Sequence, residues 1–143
     1  MVIAIDFDGT IVEDAYPAIG EPKLFVFETL KMMDKNHHQL VLWTTREGRA
    51  LAEAVRFCKD NGVDFYAVNM SYSDERIEDI GSRKIICDVF VSNKNFGGLP
   101  GWGEIWQEIQ LAEKGGVEQE VNLPKAGIVG KILNISGFVR NQL

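Results

Sequence analysis

The sequence predicts an α/β protein with a parallel sheet, because short apolar segments alternate with segments of helical periodicity. Four apolar segments fit buried strands, namely residues 2–5, 40–43, 64–68 and 85–91. Between them, apolar residues recur every three or four positions, as expected for amphipathic helices. Connections of this kind are right-handed crossovers, which place the carboxyl ends of the strands at one edge of the sheet.

The first strand, residues 2–5, ends at Asp6 and is followed by a polar, glycine-containing turn over residues 8–14. Pro22 is at a position where a helix can begin, since proline is tolerated in a first helical turn. Behind it, three apolar residues at helical spacing predict the buried face of that helix: Phe27, Leu30 and Met33.

The second strand, residues 40–43, stops at Thr44. The next helix is predicted over residues 47–61, and Gly62 provides its C-terminal stop. Its apolar face is formed by Leu51, Val55 and Cys58.

A third strand over residues 64–68 leads into a polar loop, residues 69–83, and then into a fourth strand, residues 85–91. The glycine-rich segment 97–101 predicts a turn. A final helix, which ends at Gly115 and Gly116, buries one face made of Trp102, Ile105, Trp106, Ile109 and Ala112. We also expect Trp43 to be a core residue.

The chain of 143 residues suits one domain, which we place at residues 1–114. We expect residues 115–143 to be a C-terminal extension that packs on the core or at a subunit contact, so a homo-oligomer is a candidate assembly. The net charge of −6 disfavours nucleic acids and anionic membrane surfaces as partners.

The two cysteines, Cys58 and Cys87, form no CxxC pair and are expected to be buried free thiols in a reducing compartment. No signal peptide and no apolar stretch of about 20 residues is present, so a cytoplasmic location is expected. His37 and His38 precede the second strand at its amino end, and we interpret both as part of a surface turn.

The segment Asp6-Phe7-Asp8-Gly9-Thr10 carries the most functional information. It places two carboxylates two residues apart, directly after a buried strand and before a glycine turn. Carboxylates at such an edge are costly to bury without a partner, and Mg²⁺ is the natural cation because it prefers oxygen ligands and bridges to phosphate. One carboxylate can then attack phosphorus while the other transfers protons. A strand turn in which both carboxylates only bind backbone amides is the alternative.

This segment resembles the first signature of the haloacid dehalogenase (HAD) superfamily, and its second aspartate resembles that of the phosphatases in it. The likeness extends to about residue 110 and includes the phrases LVLWTTR and PGWGEIW. It also resembles small Bacteroides proteins of that superfamily. The resemblance implies a three-layer, Rossmann-like (HAD-like) sheet with helices on both faces and no cap domain. It also implies Asp6 as nucleophile, Asp8 as acid/base and, through its carbonyl, Mg²⁺ ligand, and Thr10 as support for the loop around the phosphate.

The other signatures of the superfamily imply further site residues. Thr44 matches the hydroxyl residue after the second strand, with Thr45 as its substitute and Arg46 as an additional phosphate contact. A helix N-cap at Thr44 and an ordinary surface position for Arg46 are the alternatives. Lys84 matches the lysine that neutralises the nucleophile and the phosphoryl group, although a solvated lysine there, or Arg83 in its place, fits the sequence too.

The sequence departs from the superfamily after the fourth strand, where one or two acidic residues normally hold Mg²⁺. Ser92 and Asn93 occupy those positions, and Asp88 comes too early in the strand to replace them. Asn93 is the candidate neutral ligand. The expected function is a Mg²⁺-dependent phosphomonoester hydrolase acting on a phosphorylated small molecule or an exposed phosphate of a larger molecule. The alternative is a catalytically weak or inactive protein that binds a phosphorylated ligand or partner.

Overall fold

A computed structural model describes residues 1–76 and 84–114 of the chain. The predicted C-terminal extension, residues 115–143, lies outside the described residues, as does the second half of the predicted loop, residues 77–83.

The described elements alternate between strands and helices. In chain order they are β1 (Val2–Ile5), α1 (Val26–Lys35), β2 (Gln39–Leu42), α2 (Gly48–Asp60), β3 (Ala67–Val68), β4 (Val89–Val91) and α3 (Trp102–Glu113). All strand pairs are parallel, and the order across the sheet is β3-β2-β1-β4. The predicted α/β class with a parallel sheet is therefore confirmed. None of the helices in residues 1–76 and 84–114 has the length and apolar character needed to cross a membrane.

Strand β1 is buried on both faces, as its continuous apolar sequence requires. Ile3 and Ile5 of β1 belong to the main core together with residues of all three helices. Ala4, whose side chain points to the opposite face, is fully buried too. On the helical side, α1 contacts α3, and Phe27 of α1 packs edge-to-face against Phe57 of α2 with 5.7 Å between ring centroids.

Helix α1 begins at Val26 and not near Pro22, so the predicted start is wrong by about one turn. The reason is that residues 11–13 and 21–23 pair with each other before the helix begins. The N–H of Lys23 donates to the carbonyl of Ile11 at 2.9 Å, and the N–H of Glu13 donates to that of Glu21 at 2.8 Å. Between β1 and α1, residues 6–25 contain no further helix or named strand.

Strand β4 is shorter than predicted, because its pairing with β1 begins only at Val89, opposite Ile3. The Asp88 carboxylate accepts the N–H of Val2 at 2.7 Å, which removes the donor that a longer ladder would use. Asp88 thus lies at the amino end of the sheet, which confirms that it comes too early for a site at the opposite edge. The N–H of Ile86 turns to the hydroxyl of Ser71 at 3.0 Å.

The interpretation of His38 as a surface residue is wrong, whereas His37 is exposed in a turn with φ +64°. His38 is only 3% exposed. Its ring packs edge-on against Trp106 with 6.3 Å between centroids, and its Nε2 lies 3.5 Å from a carboxylate oxygen of Glu113. Because α3 covers it from some 70 positions further along the chain, the local pattern could not reveal this burial.

Burial of His38 predicts a loss of stability in mild acid. Its pKa is lowered from 6.5, chiefly by desolvation; Glu113 opposes this effect and the amino group of Met1 adds to it. The folded protein therefore binds a proton at His38 less tightly than the unfolded chain does. The free energy of unfolding should be highest above a pH of about 6.5 and should decrease as the pH is lowered further. Urea unfolding at several pH values between roughly 7.5 and 5.5 measures how the free energy of unfolding changes with pH.

The neighbouring histidine supplies a matched control for this prediction. His38→Gln is expected to flatten the dependence of stability on pH in this range, while His37→Gln retains it. Equal slopes in the natural protein and in His38→Gln would contradict the assignment.

Candidate active site

The carboxyl ends of β2, β1 and β4 meet at one edge of the sheet. The N–H of Asp6 donates to the carbonyl of Val91 at 3.0 Å, and the N–H of Trp43 donates to that of Ile5 at 2.8 Å. These bonds bring together the three segments that the sequence singled out, residues 6–10, 44–46 and 92–93.

The carboxylate of Asp6 is held by one hydrogen bond on each oxygen. Oδ1 accepts the N–H of Phe7 at 2.8 Å, and Oδ2 accepts the hydroxyl of Ser92 at 3.0 Å. Ser92 is 1% exposed, and its oxygen in turn accepts the N–H of Lys94 at 3.0 Å. Ser92 therefore binds the candidate nucleophile directly and helps to fix its orientation. From the sequence, it was interpreted only as a residue that replaces an acidic metal ligand.

Arg46 binds Asp8 through both carboxylate oxygens. Its Nε donates to Oδ2 at 2.8 Å and its Nη2 to Oδ1 at 2.6 Å. The same guanidinium donates to the backbone carbonyls of Pro17 at 3.0 Å and Ala18 at 2.7 Å. Arg46 was predicted to contact a phosphate; in the structure, these donors hold Asp8 and the loop before α1.

The guanidinium of Arg46 is fully buried, whereas the Asp8 side chain is 17% exposed. The alternative that Arg46 is an ordinary surface arginine is therefore wrong. The guanidinium carbon of Arg46 lies 4.8 Å from the ring centroid of Phe7 and 5.3 Å from that of Tyr16. The pKa of Arg46 is raised, chiefly by the hydrogen bond to Asp8, while burial acts in the opposite direction. A buried arginine is stable only when it is paired in this way.

The turn after Asp8 depends on close contact between two loops. Gly9 has φ +73°, a conformation that favours glycine, and a Cβ atom there would overlap the side-chain amide of Asn93. The buried hydroxyl of Thr10 accepts the N–H of Asn93 at 2.9 Å, and its carbonyl accepts the indole N–H of Trp102 at 3.2 Å. Thr10, predicted as a loop support at a phosphate site, joins the loops after β1 and β4 to helix α3.

Gly9→Ala is expected to lower the free energy of unfolding by roughly 2–3 kcal/mol, because backbone strain and the overlap with Asn93 act together. Gly98→Ala is the matched control, since Gly98 has φ +83° with nothing within 4 Å of an added Cβ. We expect the control to cost about 1 kcal/mol from strain alone. Equal losses in urea unfolding would show that the Asn93 contact has no energetic effect.

Thr44 takes part in the turn that leads from β2 to Arg46. Its hydroxyl oxygen accepts the N–H of Arg46 at 3.2 Å, and its own N–H donates to the side chain of Asn69 at 2.8 Å. Helix α2 is capped at Glu47, so the alternative of Thr44 as N-cap is wrong. Thr45 is exposed.

Asn69 is a site residue that sequence reasoning missed. It has φ +53° and joins the ends of β3 and β2, since its N–H also donates to the carbonyl of Leu42 at 2.7 Å. Asparagine tolerates this backbone conformation better than most residues, so an Asn directly after a short strand was the available signal.

Two predicted residues differ in how closely they approach the described site. Lys84 is exposed and directly follows residues 77–83, which lie outside the description, so its role as the neutralising cation stays a prediction. Asn93 adjoins the site, and its Oδ1 is buried with no hydrogen-bond partner among the described residues. A buried acceptor without a donor is unusual, which makes this oxygen a candidate ligand for a water molecule or a cation.

Neither a protein-family model nor a curated protein matches the sequence. Among solved structures, a conserved protein of Bacteroides thetaiotaomicron matches with a TM-score of 0.75 and 46% sequence identity. The match covers 78% of this chain and 91% of that protein. Identity at this level over most of both chains reflects common descent, and the chain therefore belongs to the family of this conserved Bacteroides protein.

Proposed function

We propose that the protein is a Mg²⁺-dependent phosphomonoester hydrolase of the HAD type, which forms an aspartyl-phosphate on Asp6. The observation that supports this most strongly is the Asp6 carboxylate, oriented on both oxygens at the carboxyl end of the central strand. The second carboxylate, Asp8, is two residues away. The three-layer HAD-like arrangement and the lack of a cap domain belong to the same proposal.

In the first half of the reaction, a carboxylate oxygen of Asp6 attacks phosphorus opposite the ester oxygen. The phosphorus–oxygen bond to the alcohol breaks, and the phosphoryl group is transferred to Asp6. The bonds from Phe7 and Ser92 limit the rotation of the carboxylate, so little orientational entropy is lost on reaching the transition state. The Thr44 hydroxyl and the Lys84 ammonium are assigned to the equatorial phosphoryl oxygens.

Asp8 transfers the protons in both halves of the reaction. In its protonated form it gives its proton to the departing alcohol oxygen and becomes the carboxylate. It then takes a proton from the water that hydrolyses the aspartyl-phosphate, which restores the protonated form. A neutral carboxyl accepts hydrogen bonds less strongly than a carboxylate does, so each protonation weakens the pairing with Arg46. Arg46 thereby couples the proton transfers to the Pro17–Ala18 backbone, which it also binds.

The oxygen atoms near Asp6 are of the kind that holds Mg²⁺. The candidates are the Asp6 carboxylate, the Asp8 carbonyl and the unpartnered Oδ1 of Asn93, with water completing the coordination. The described residues contain no group of three or more His, Cys, Asp or Glu side chains that could bind a metal. Of the three candidate ligands proposed here, only the Asp6 carboxylate is charged. When bound, Mg²⁺ neutralises charge on the transferring phosphoryl group.

The direct test is phosphate release from p-nitrophenyl phosphate, measured with Mg²⁺ and with a chelator. Release that requires Mg²⁺ and Asp6 supports the proposal. No release from folded natural protein under either condition would overturn it.

Binding of a phosphorylated ligand without turnover is the second candidate function. It is favoured by the neutral Ser92 and Asn93 and by the pairing of both Asp8 oxygens with Arg46. Under this alternative, phosphate analogues bind but no phosphate is released.

Ser92→Asp tests the metal site without relying on activity. The variant brings a second carboxylate to Asp6 in a buried position, which we expect to cost about 2 kcal/mol when Mg²⁺ is chelated. Millimolar Mg²⁺ should recover most of that loss, because the new carboxylate is a ligand. Thermal unfolding with and without Mg²⁺ measures the difference, with Ser92→Asn as the uncharged control. A loss in Ser92→Asp that Mg²⁺ leaves unchanged would argue against a cation at this position.

A further inference from the structure

A cleft of about 480 Å³ adjoins the candidate active site. It lies between the loop that follows β1 and the turn that leads into α3. Its walls include Gly9 and Asn93 at the site end, together with Asp14, Lys23, Leu24 and Trp102. The volume falls within the roughly 300–1,000 Å³ typical of sites for small organic molecules.

The cleft begins at residues that directly follow candidate site residues in the chain, although Asp6 and Asp8 themselves do not line it. Gly9 directly follows Asp8, and Asn93 directly follows Ser92, whose hydroxyl binds Asp6 at 3.0 Å. In-line displacement sends the leaving oxygen away from the nucleophile, so the organic part of a substrate must extend out of the phosphoryl site. The cleft provides a walled space into which it can extend.

The charged residues that line the cleft, Glu13, Asp14 and Lys23, have a net negative charge. Lys23 is neutralised by Glu13, with 2.7 Å between Nζ and Oε2. Asp14 has no ion-pair partner among the described residues. Its charge acts on the site, because it helps to raise the pKa of Arg46, although the hydrogen bond to Asp8 has the larger effect. A second anionic group on a substrate would meet repulsion from Asp14 and gain little from Lys23.

One wall of the cleft is apolar and open to a ligand. Leu24 is 77% exposed, which is unusual for leucine, and it lines the cleft together with Leu99 and Pro100. Covering such a side chain with an apolar group removes apolar surface from water, which favours binding. On the other side lies Trp102, which is buried and donates its indole N–H to the Thr10 carbonyl.

From these observations we infer that the cleft binds the organic part of a small phosphomonoester with an apolar face and no second anionic group. This rests on the proposed function, and it names the substrate class: neutral or cationic phosphomonoesters are accepted, and bisphosphates and phosphorylated carboxylic acids are disfavoured. Asp14 is the residue that determines this specificity.

The test measures binding, so that it does not depend on turnover. Dissociation constants are determined by calorimetry, with Mg²⁺ and at low salt, for phenylphosphonate and its para-carboxy and para-aminomethyl derivatives. The natural protein is expected to bind the carboxy derivative roughly tenfold more weakly than phenylphosphonate and the aminomethyl derivative at least as tightly.

Two variants should shift this discrimination in opposite directions. Asp14→Asn reduces the penalty on the carboxy derivative to about threefold or less, whereas Lys23→Gln increases it by exposing the charge of Glu13. Asp64→Asn, at an exposed ion pair with Lys59, is the control and leaves the ratio unchanged.

The inference is overturned if no phosphonate binds. It is also overturned if the Asp14→Asn variant shows the same ratio of dissociation constants between the carboxy derivative and phenylphosphonate as the natural protein. A failure of the proposed function has a different signature. In that case, phosphate release is absent or survives Asp6→Asn, while the phosphonate ratios still respond to Asp14.

Discussion

Asp6→Asn is expected to lower the rate of phosphate release by roughly 1,000-fold or more, because an amide cannot form the acyl phosphate. The substitution preserves shape, and the Asn oxygen can still accept a hydrogen bond from Phe7 or Ser92. The free energy of unfolding should therefore change by no more than about 1 kcal/mol. Rates with p-nitrophenyl phosphate and urea unfolding of the same sample measure both quantities.

Asp88→Asn is the matched control, because Asp88 lies at the amino end of the sheet and binds Val2 there. It removes the same charge and should leave the rate within about twofold of the natural protein. If Asp6→Asn keeps the natural rate, Asp6 is not the nucleophile. If the natural protein releases no phosphate while phosphonates bind, the binding function is favoured over the hydrolase.

Arg46→Met is expected to produce the largest loss of stability among the variants considered. It leaves the Asp8 carboxylate and the carbonyls of Pro17 and Ala18 without their donor. Breaking a buried pair costs about 3–5 kcal/mol, and partial exposure of Asp8 places this case near the lower end. Phosphate release should fall as well, because Asp8 loses the group that orients it. Urea unfolding and initial rates give the two measurements.

The helix that follows supplies a matched control for this prediction. Arg49 is 92% exposed and pairs with Glu53 one turn along α2, so Arg49→Met should cost no more than about 0.5 kcal/mol. The double variant Asp8→Asn, Arg46→Met should be less destabilised than the two single losses added together, because no unpaired carboxylate remains. Strict additivity would show that the pair does not stabilise the fold.

Local sequence patterns were sufficient for much of the scaffold. The run 2–5 matches β1, and the apolar face of α1 is buried as predicted at Phe27, Leu30 and Met33. Helix α2 lies within its predicted range and is followed by Gly62 at φ +86°. These features depend on side-chain periodicity and on backbone conformations that neighbouring residues impose, so a short window of sequence contains them.

The extent of the outer strands could not be predicted in the same way. The apolar runs 64–68 and 85–91 suggested strands longer than Ala67–Val68 and Val89–Val91. At β4, pairing with β1 begins at Val89 opposite Ile3, and the carboxylate of Asp88 binds the N–H of Val2 from 86 positions away. The ladder thus depends on a partner that no local window includes.

The sequence by itself determined that Asp6 and Asp8 follow a buried strand and meet the ends of two others, because parallel strands share one carboxyl edge. Only the tertiary structure decided the partners of these carboxylates. Arg46 binds Asp8 across 38 positions, and Ser92 binds Asp6 across 86. Periodicity places a side chain on a strand end or a helix face, but its hydrogen-bond partner depends on how the loops fold over the sheet edge. For that reason, a residue interpreted as a phosphate contact and one interpreted as a missing metal ligand position the two candidate catalytic groups in the folded protein.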